Sequence, residues 1–223
     1  MSFIDEYFVR ARATPEQMDS LWAMGWRHFG YYFFRYSASR RQGGFRTVIP
    51  LRVALSKFAP SRSQKRAMNR NRDLRVVIRD TFIDEIKEEL FYRHRERFKE
   101  NAPDSIYDFL SEDPSVEPCS NQEICVYDGD NLVAASFLDI GGQSTSAVYA
   151  MFEPAESKRS LGVFTMLEAI RYSRELGCIY YYPGYAYREP SVYDYKKNFS
   201  GTEYYDWKGE WKPFLKSDMS YSI

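Results

Sequence analysis

"QEICVYDGDNLVAASFLDI", residues 122–140, contains two runs of apolar and β-branched residues on either side of Asp-Gly-Asp at 128–130. An Asp-Gly pair between two such runs is a strong signal for a β-hairpin, because glycine tolerates the positive φ that tight hairpin turns require. After two glycines, residues 144–153, "STSAVYAMFE", have the composition of a third antiparallel strand. The sequence therefore predicts a three-stranded antiparallel meander.

A helix and a fourth strand follow the meander. Residues 160–176 carry apolar side chains at helical spacing, and Gly177 stands in the position where a helix commonly ends. The apolar residues are Leu161, Phe164, Leu167, Ala169, Ile170 and Tyr172. "CIYYYPGY", residues 178–185, is then expected to form a strand. The predicted order of elements is βββαβ.

This order is the core order of the GNAT-type acyltransferase fold, in which the acyl group of a donor lies between two splayed strands. We predict an α+β fold of this kind, with a mixed, mostly antiparallel sheet and flanking helices. The first half has room for a second GNAT-like unit. Prolines at 103, 114 and 118 mark a looser stretch, so we divide the chain into an N-terminal half, 1–115, and an acyltransferase core, 116–223.

The N-terminal half contains a strongly basic segment, "FAPSRSQKRAMNRNRDL", residues 58–74. Over residues 35–79 thirteen basic residues stand against one acid, although the chain as a whole has a formal charge of zero. Pro60 and Ser61 are typical of a helix start, and Arg62, Lys65, Arg66 and Arg70 fall on one helical face. Helix faces that are merely solvated usually carry charges of both signs. This face carries one sign only, which favours a surface that binds a nucleic-acid phosphate backbone over an ordinary solvated face.

Several classes of function are disfavoured by composition. No run of residues is long and apolar enough to span a membrane, and the N-terminus lacks the pattern of a secretory signal, so a cytoplasmic location is expected. Three cysteines have spacings that fit neither a zinc site nor a disulfide framework. The two histidines, His28 and His94, are far apart, and His94 lies in a charged stretch that predicts a solvated side chain. We expect no metal centre.

The start of the predicted helix at 160 bears on the acyl donor. Enzymes that use acetyl-CoA carry Q/R-x-x-G-x-G/A here, so that backbone amides can bind a pyrophosphate. The matching stretch is "RSLGVF", residues 159–164, where Gly162 is present but Phe164 replaces the second small residue. This replacement argues against CoA, while the basic segment suggests a donor carried on tRNA.

Five segments together resemble the arginyl-tRNA and leucyl-tRNA protein transferases. They are "GWRHFGYYFFR", "FAPSRSQKRAMNRNRDL", "SFLDIGGQSTSAVYAMFEP", "SLGVFTMLEAIRYSRELG" and "YYYPGYAYREPSVYDYK", in family order over most of residues 25–197. The resemblance implies transfer of an amino acid from aminoacyl-tRNA to the N-terminal α-amine of a protein, which marks that protein for degradation. The aminoacyl ester is already activated, so no cofactor is expected.

The resemblance and the residue chemistry nominate a set of site residues. Asp139 and Tyr149 are the candidate catalytic residues, with Asp139 placed to accept a proton from the acceptor amine and Tyr149 to donate to an oxyanion. Ser146, Tyr185, Tyr187 and Lys196 are the candidate substrate-binding residues, and Arg62, Ser63, Lys65, Arg66, Arg70 and Arg72 the candidate tRNA-binding residues. Asp139 could equally cap a turn, the tyrosines could be packing residues, and Lys196 could be a surface lysine.

Two departures from the family keep other functions open. The segment "YSASRRQGGFRTVIPLRV" lacks the cysteine cluster that the family usually carries near its N-terminus, and Pro190 and Val192 stand where the family has Ser and Lys. The alternatives are an aminoacyl-tRNA-dependent peptide ligase with a biosynthetic or small-molecule acceptor, a non-catalytic tRNA-binding relative and an ordinary acetyltransferase. The sequence does not specify whether arginine, leucine or another residue is transferred.

Overall fold

A computed structural model describes residues 3–41, 44–98 and 102–215 of the 223-residue chain. Its α-helices are α1 (Pro15–Ala23), α2 (Arg62–Arg70), α3 (Glu85–Arg95) and α4 (Leu161–Glu175). The strands are β1 (Asp5–Val9), β2 (Arg27–Phe29), β3 (Tyr32–Tyr36), β4 (Ala38–Arg41), β5 (Gly44–Ala54), β6 (Arg75–Asp80), β7 (Asn121–Asp128), β8 (Asn131–Ile140), β9 (Ser144–Phe152), β10 (Tyr180–Tyr187), β11 (Thr202–Tyr205) and β12 (Trp211–Pro213). Short 3₁₀ turns include Ile106–Asp108 and Asp194–Asn198.

A nine-stranded sheet forms the centre of the molecule. Its order is β12-β11-β5-β10-β9-β8-β7-β6, and β4 pairs with β5. Only the β9–β10 pair among these described strands is parallel. The run β7, β8, β9, α4 and β10 reproduces the predicted βββαβ order, with the hairpin turn at 129–130 between β7 and β8. The predicted α+β, GNAT-like fold is confirmed.

The two faces of this sheet are covered by different elements. Ala67 of α2 and Leu167 of α4 pack in one cluster with Leu138 of β8, which defines the α2/α4 face. On the other side Phe91 of α3 packs with Phe137, the residue preceding Leu138. Successive side chains of a strand point to opposite faces, so this second cluster lies on the other side of the sheet. We call this side the α1/α3 face, because α1 packs there as well.

A three-stranded sheet has the order β1-β3-β2. It lies on the α1/α3 face, because it packs on Tyr182, whose neighbour Tyr181 packs on the α2/α4 face. Trp22 of α1 and Phe33 of β3 share a cluster with Cys119 and Tyr182. Through this packing the β1-β3-β2 sheet lies beside the strands that carry the predicted catalytic residues.

The prediction that a helix starts at Pro60 and Ser61 is confirmed, since Ser61 is the N-cap of α2. Thr14 forms a capping box with Gln17 before α1, and Ser61 forms one with Gln64 before α2. Pro50 lies inside β5, where the pairing with β4 has stopped at Thr47 and that with β11 starts at Leu51. Its missing N–H is therefore tolerated within a long strand.

The prediction that His94 is a solvated surface residue was wrong. His94 is 3% exposed, and its Nδ1 accepts a hydrogen bond from the Phe152 N–H at 3.1 Å. Burial lowers its pKa to about 4, because the charged imidazolium would lose its hydration.

The division of the chain at 115/116 stays a prediction. Strands from both sides of that boundary belong to the central sheet.

Candidate active site

The two central parallel strands separate part-way along their length. β9 and β10 pair only from Ser144 to Ser146 and from Tyr180 to Tyr182. β10 then shifts its register against β5 between Tyr181 and Gly184. This separation, which we call the opening, is where a GNAT-like fold is expected to hold an acyl group.

A row of polar residues runs across the sheet beside the opening. Asn121 lies opposite Asp139 in the β7–β8 pair, and Asp139 lies opposite Ser146 in the β8–β9 pair. Residues directly opposite each other share a face of the sheet. All three are buried, and they belong to the α1/α3 face because Asp139 is two residues beyond Phe137.

Asp139 is held in place at both of its carboxylate oxygens. Oδ1 accepts a hydrogen bond from Nδ2 of Asn121 at 2.7 Å, and Oδ2 lies 2.8 Å from Nε2 of His28. The other ring nitrogen of His28, Nδ1, lies 2.9 Å from the Gly30 carbonyl, which can only accept. Nδ1 can therefore donate to that carbonyl, and the two contacts fix the orientation of the imidazole ring between Gly30 and Asp139. Asp139 is only 1% exposed, so solvent does not compete for its carboxylate. The contact with Asp139 therefore holds the His28 ring in place.

Cys119 completes a cluster of potential metal ligands with this pair. The ligand atoms of His28, Cys119 and Asp139 lie within 4.8 Å of one another. Burial, and the negative charge of Asp139, raise the pKa of the Cys119 thiol well above its usual value. The metal-free site therefore favours the protonated thiol, and a metal ion bound there would have to displace that proton. Without an ion, both carboxylate oxygens of Asp139 are engaged, by Asn121 and by His28.

Arg27 reaches the opening from the α1/α3 face. Its Nη1 donates to Oγ of Ser146, and its Nη2 donates to the carbonyl of Ala147, the first residue of β9 after the pairing with β10 ends. The residue is 9% exposed. Burial lowers the pKa of Arg27, and the nearby charge of Asp139 opposes that shift.

Lys196 approaches the same place from the turn at Asp194–Asn198. A Cβ atom placed on Gly184 would lie 3.4 Å from Nζ of Lys196 and 3.9 Å from Nη2 of Arg27. Gly184 has a φ of +94°, a conformation that favours glycine. Burial and the charge of Arg27 lower the pKa of Lys196 to about 8.

Two tyrosine hydroxyls near the opening are buried and form no hydrogen bond with the described residues. They belong to Tyr149 of β9 and Tyr181 of β10. The Tyr149 ring stacks on Phe109 with 4.0 Å between ring centroids, and Tyr181 packs on the α2/α4 face. Burial raises the pKa of both phenols, so both remain donors.

The other two predicted tyrosines lie further along β10. The Tyr185 hydroxyl donates to the Gly25 carbonyl at 2.6 Å, which ties β10 to the end of α1. Tyr187 lies near Tyr193, with 6.0 Å between ring centroids, and the Arg46 guanidinium lies over its ring. The hydroxyl of Tyr185 is therefore engaged by the fold.

The predicted tRNA-binding residues lie on α2 and just after it, away from Asp139. They are Arg62, Ser63, Lys65, Arg66, Arg70 and Arg72, and all six are exposed. Arg62, Lys65, Arg66 and Arg72 form no ion pair with any described residue, and we call these four the α2 cations. Nε2 of Gln64 donates to the carbonyl of Asn198 at 3.4 Å, which joins the start of α2 to the turn that carries Lys196.

Phe164, on which the sequence argument against CoA rested, lies in the core. It is 3% exposed and packs with Leu74, Val133 and Leu161 between α4 and the sheet. The exclusion of CoA as the donor stays a prediction.

A cavity of about 450 Å³ lies at the opposite end of β9 and β10 from the opening. Asp19, Arg52, Ser144 and Tyr180 are among the residues that line it. None of the predicted site residues lines it.

Residues 86–206 match the family described as arginine-tRNA-protein transferase, C terminus. Over 198 residues the chain is 30% identical to the aspartate/glutamate leucyltransferase of Stenotrophomonas maltophilia (strain K279a), covering 85% of this chain and 77% of that protein. The chain belongs to the arginine-tRNA-protein transferase family. The aspartate/glutamate leucyltransferase of Helicobacter hepaticus (strain ATCC 51449 / 3B1) is 27% identical over 208 residues, or 90% of this chain and 83% of that protein.

Solved structures with little sequence similarity share the fold of this member of the family. FemX has a TM-score of 0.54 at 12% identity, over 96% of this chain and 72% of that chain. L-PGS from Bacillus licheniformis has a TM-score of 0.50 at 13% identity, over 83% of this chain. This chain covers 53% of the L-PGS chain, about half its length.

Membership of the arginine-tRNA-protein transferase family confirms the predicted enzyme class, an aminoacyltransferase that uses aminoacyl-tRNA. The family implies aminoacyl-tRNA and a protein acceptor as the two substrates. None of the described helices has the length and hydrophobicity needed to cross a membrane.

Of the residues that lie beside the opening, the sequence nominated Asp139, Ser146 and Lys196 as candidates but not Arg27, His28 and Asn121. His28 and Asp139 are 111 positions apart, and Arg27 and Ser146 are 119 apart. The one available signal was the position of Arg27 and His28 inside the family-like segment "GWRHFGYYFFR".

Proposed function

We propose that this protein transfers leucine from leucyl-tRNA to the N-terminal α-amine of proteins that begin with aspartate or glutamate. The support is family membership and the names of the two relatives, both aspartate/glutamate leucyltransferases. The proposed place of action is the cytoplasm, and the proposed consequence is that the modified protein is marked for degradation.

The observation that carries the proposal is the opening between β9 and β10, with different groups on its two sides. The α2 cations are exposed and joined through Gln64 to the turn that carries Lys196. Arg27, His28 and Asp139 lie on the α1/α3 face. We infer that tRNA binds along α2 with its aminoacyl end in the opening, and that the acceptor amine enters from the α1/α3 face.

The reaction needs alignment more than activation, since the ester bond to the tRNA is already reactive. The neutral amine attacks the ester carbonyl carbon, a C–N bond forms and the C–O bond to the ribose breaks. One proton of the amine goes to the departing ribose oxygen. Positioning of two bound reactants accounts for a large part of the rate of such a transfer.

Three residues are proposed for particular roles in this alignment. The Tyr149 hydroxyl, buried and without a described partner, would donate to the oxyanion that forms at the ester carbonyl. Asp139 and His28 would act as positioning residues, because both oxygens of Asp139 are already occupied. Direct proton acceptance by Asp139 stays a prediction from the sequence.

A transfer assay tests the proposal. Purified protein is offered leucyl-, arginyl- and phenylalanyl-tRNA with radiolabelled amino acids, and peptides that begin with Asp, Glu, Arg or Lys but are otherwise identical. Incorporation of leucine into the Asp and Glu peptides is expected. Incorporation of arginine instead would overturn the choice of amino acid, and incorporation from none of the three would favour a biosynthetic acceptor or a non-catalytic relative.

A further inference from the structure

Two cationic side chains of the opening converge on a single point. Nη2 of Arg27 and Nζ of Lys196 both lie within 4 Å of the position that a Cβ atom on Gly184 would take. Arg27 comes from β2 on the α1/α3 face, and Lys196 comes from the turn at Asp194–Asn198. Because residue 184 is a glycine, the space between the two cations is not filled by a side chain.

The charges at this point are not balanced by the described residues. Lys196 is partly buried and forms no ion pair with them, while the Nζ atom of Lys197, its neighbour, lies 2.9 Å from Asp194. Arg27 donates to neutral oxygens of Ser146 and Ala147, and Asp139 acts on it only from beyond salt-bridge distance. Bringing two partly desolvated like charges together is costly unless an anion compensates them.

We propose that Arg27 and Lys196 form the pocket that binds the side-chain carboxylate of an acidic N-terminal residue of the acceptor. The proposal rests on the proposed function, and it assigns the choice of acceptor to two residues. A carboxylate between them would accept hydrogen bonds from both cations at once.

The position of the pocket favours a carboxylate over a phosphate of the tRNA. Arg27 is 9% exposed and lies on the α1/α3 face with His28 and Asp139, where the acceptor is proposed to enter. The α2 cations already offer an exposed surface for phosphates. A buried charge also discriminates strongly, because a neutral ligand would leave it unpaired.

The test compares peptides that begin with Asp or Asn and are otherwise identical. For each peptide, kcat/KM for leucine transfer is measured with the wild-type protein, with Lys196→Met and with Lys208→Met, a matched change at an exposed lysine. The preference for Asp over Asn is expected to fall at least tenfold in Lys196→Met and to be unchanged in Lys208→Met. Circular dichroism and thermal unfolding verify the fold of each variant. If Lys196→Met does not fold, Lys196→Arg replaces it. The Lys196→Arg variant is expected to retain the preference for Asp.

Other results would overturn the pocket. Equal losses for both peptides in Lys196→Met would mean that Lys196 serves the tRNA or the reaction itself, and no preference in the wild type would remove the basis for a pocket. If the wild type transfers nothing, the proposed function fails. The pocket is then tested separately, by measuring how tightly the Asp and Asn peptides bind to the tRNA-free protein. Tighter binding of the Asp peptide that depends on Lys196 supports it, and equal binding overturns it.

Discussion

Nε2 of His28 lies 2.8 Å from Oδ2 of Asp139, and this contact joins the three-stranded β1-β3-β2 sheet to the central sheet. Both residues are at most 5% exposed, so the pair is removed from solvent. Asn121 occupies the other carboxylate oxygen. The end of β8 is therefore fixed by residues from two other strands, β2 and β7.

The replacement Asp139→Ala should strongly destabilise the protein. It leaves the buried side chains of His28 and Asn121 without their partner, and breaking such a buried pair costs about 3–5 kcal/mol. Urea unfolding followed by fluorescence measures the loss. The isosteric Asp139→Asn should lose less, about 1–3 kcal/mol. An Asp139→Ala variant as stable as the wild type would contradict the positioning role.

The replacement Tyr149→Phe separates a functional hydroxyl from a structural one. The ring that stacks on Phe109 is retained, and only a buried hydroxyl without a described partner is removed. Thermal unfolding should show equal or higher stability, because an unpaired buried hydroxyl is unfavourable. The kcat for transfer should fall on the order of a hundredfold if the hydroxyl donates to the oxyanion. Unchanged kcat would limit Tyr149 to packing.

Removal of the α2 cations should weaken tRNA binding in a salt-dependent manner. For every phosphate that is no longer neutralised, the slope of log affinity against log salt is expected to decrease in magnitude by about 0.7–0.9. Binding is measured from 50 to 200 mM salt for the wild type and for Arg62→Gln, Lys65→Gln, Arg66→Gln and Arg72→Gln combined. Lys208→Gln is the control at an exposed lysine outside α2. Equal slopes for the wild type and the quadruple variant would show that tRNA does not bind along α2.

The preference for acidic acceptors should decrease as the pH rises through about 8. The pKa of Lys196 is lowered to about 8 by burial and by the charge of Arg27, so Lys196 is protonated below that pH and neutral above it. Higher pH also deprotonates the acceptor amine, which raises the rate for both peptides. The ratio of kcat/KM for Asp and Asn peptides cancels that effect. A ratio that stays constant from pH 7 to 9.5 would exclude Lys196 as the source of the preference.

Acid should destabilise the protein partly through His94. Its folded pKa of about 4 lies below the usual value of 6.5, so the unfolded chain binds more protons between these values and stability falls as the pH drops from 6.5 to 4. The contribution is on the order of 2–3 kcal/mol. In urea unfolding at pH 6.5 and pH 4.5, His94→Asn should lose less stability on acidification than the wild type. Identical losses would mean that His94 is not protonated on unfolding.

Local signals were sufficient for most of the central elements. The Asp-Gly turn, the helix start at Ser61 and the helix end before Gly177 depend on neighbouring residues only, and the structure agrees with each prediction. The short strands β1, β2, β4, β11 and β12 were missed, because three to five residues give too little periodicity to indicate a strand.

His94 shows where local reasoning failed although a signal was present. The charged neighbours in "FYRHRERF" suggested an exposed residue, but Leu90, Phe91 and His94 follow helical spacing with Lys87 and all four are buried. Arg27 and His28 could not be assigned in this way, because their partners are more than 100 residues away. Only the fold brings those side chains together.

The central claim is that the aminoacyl end of the tRNA lies in the opening between β9 and β10 while the tRNA body contacts α2. A tRNA charged with a photoreactive leucine analogue, crosslinked to the protein and mapped by mass spectrometry, tests this directly. We predict crosslinks within residues 146–149 and 181–185, and we predict that an excess of leucyl-tRNA suppresses them. Crosslinks confined to residues outside the opening, such as those around Asp19 and Arg52, would contradict the account.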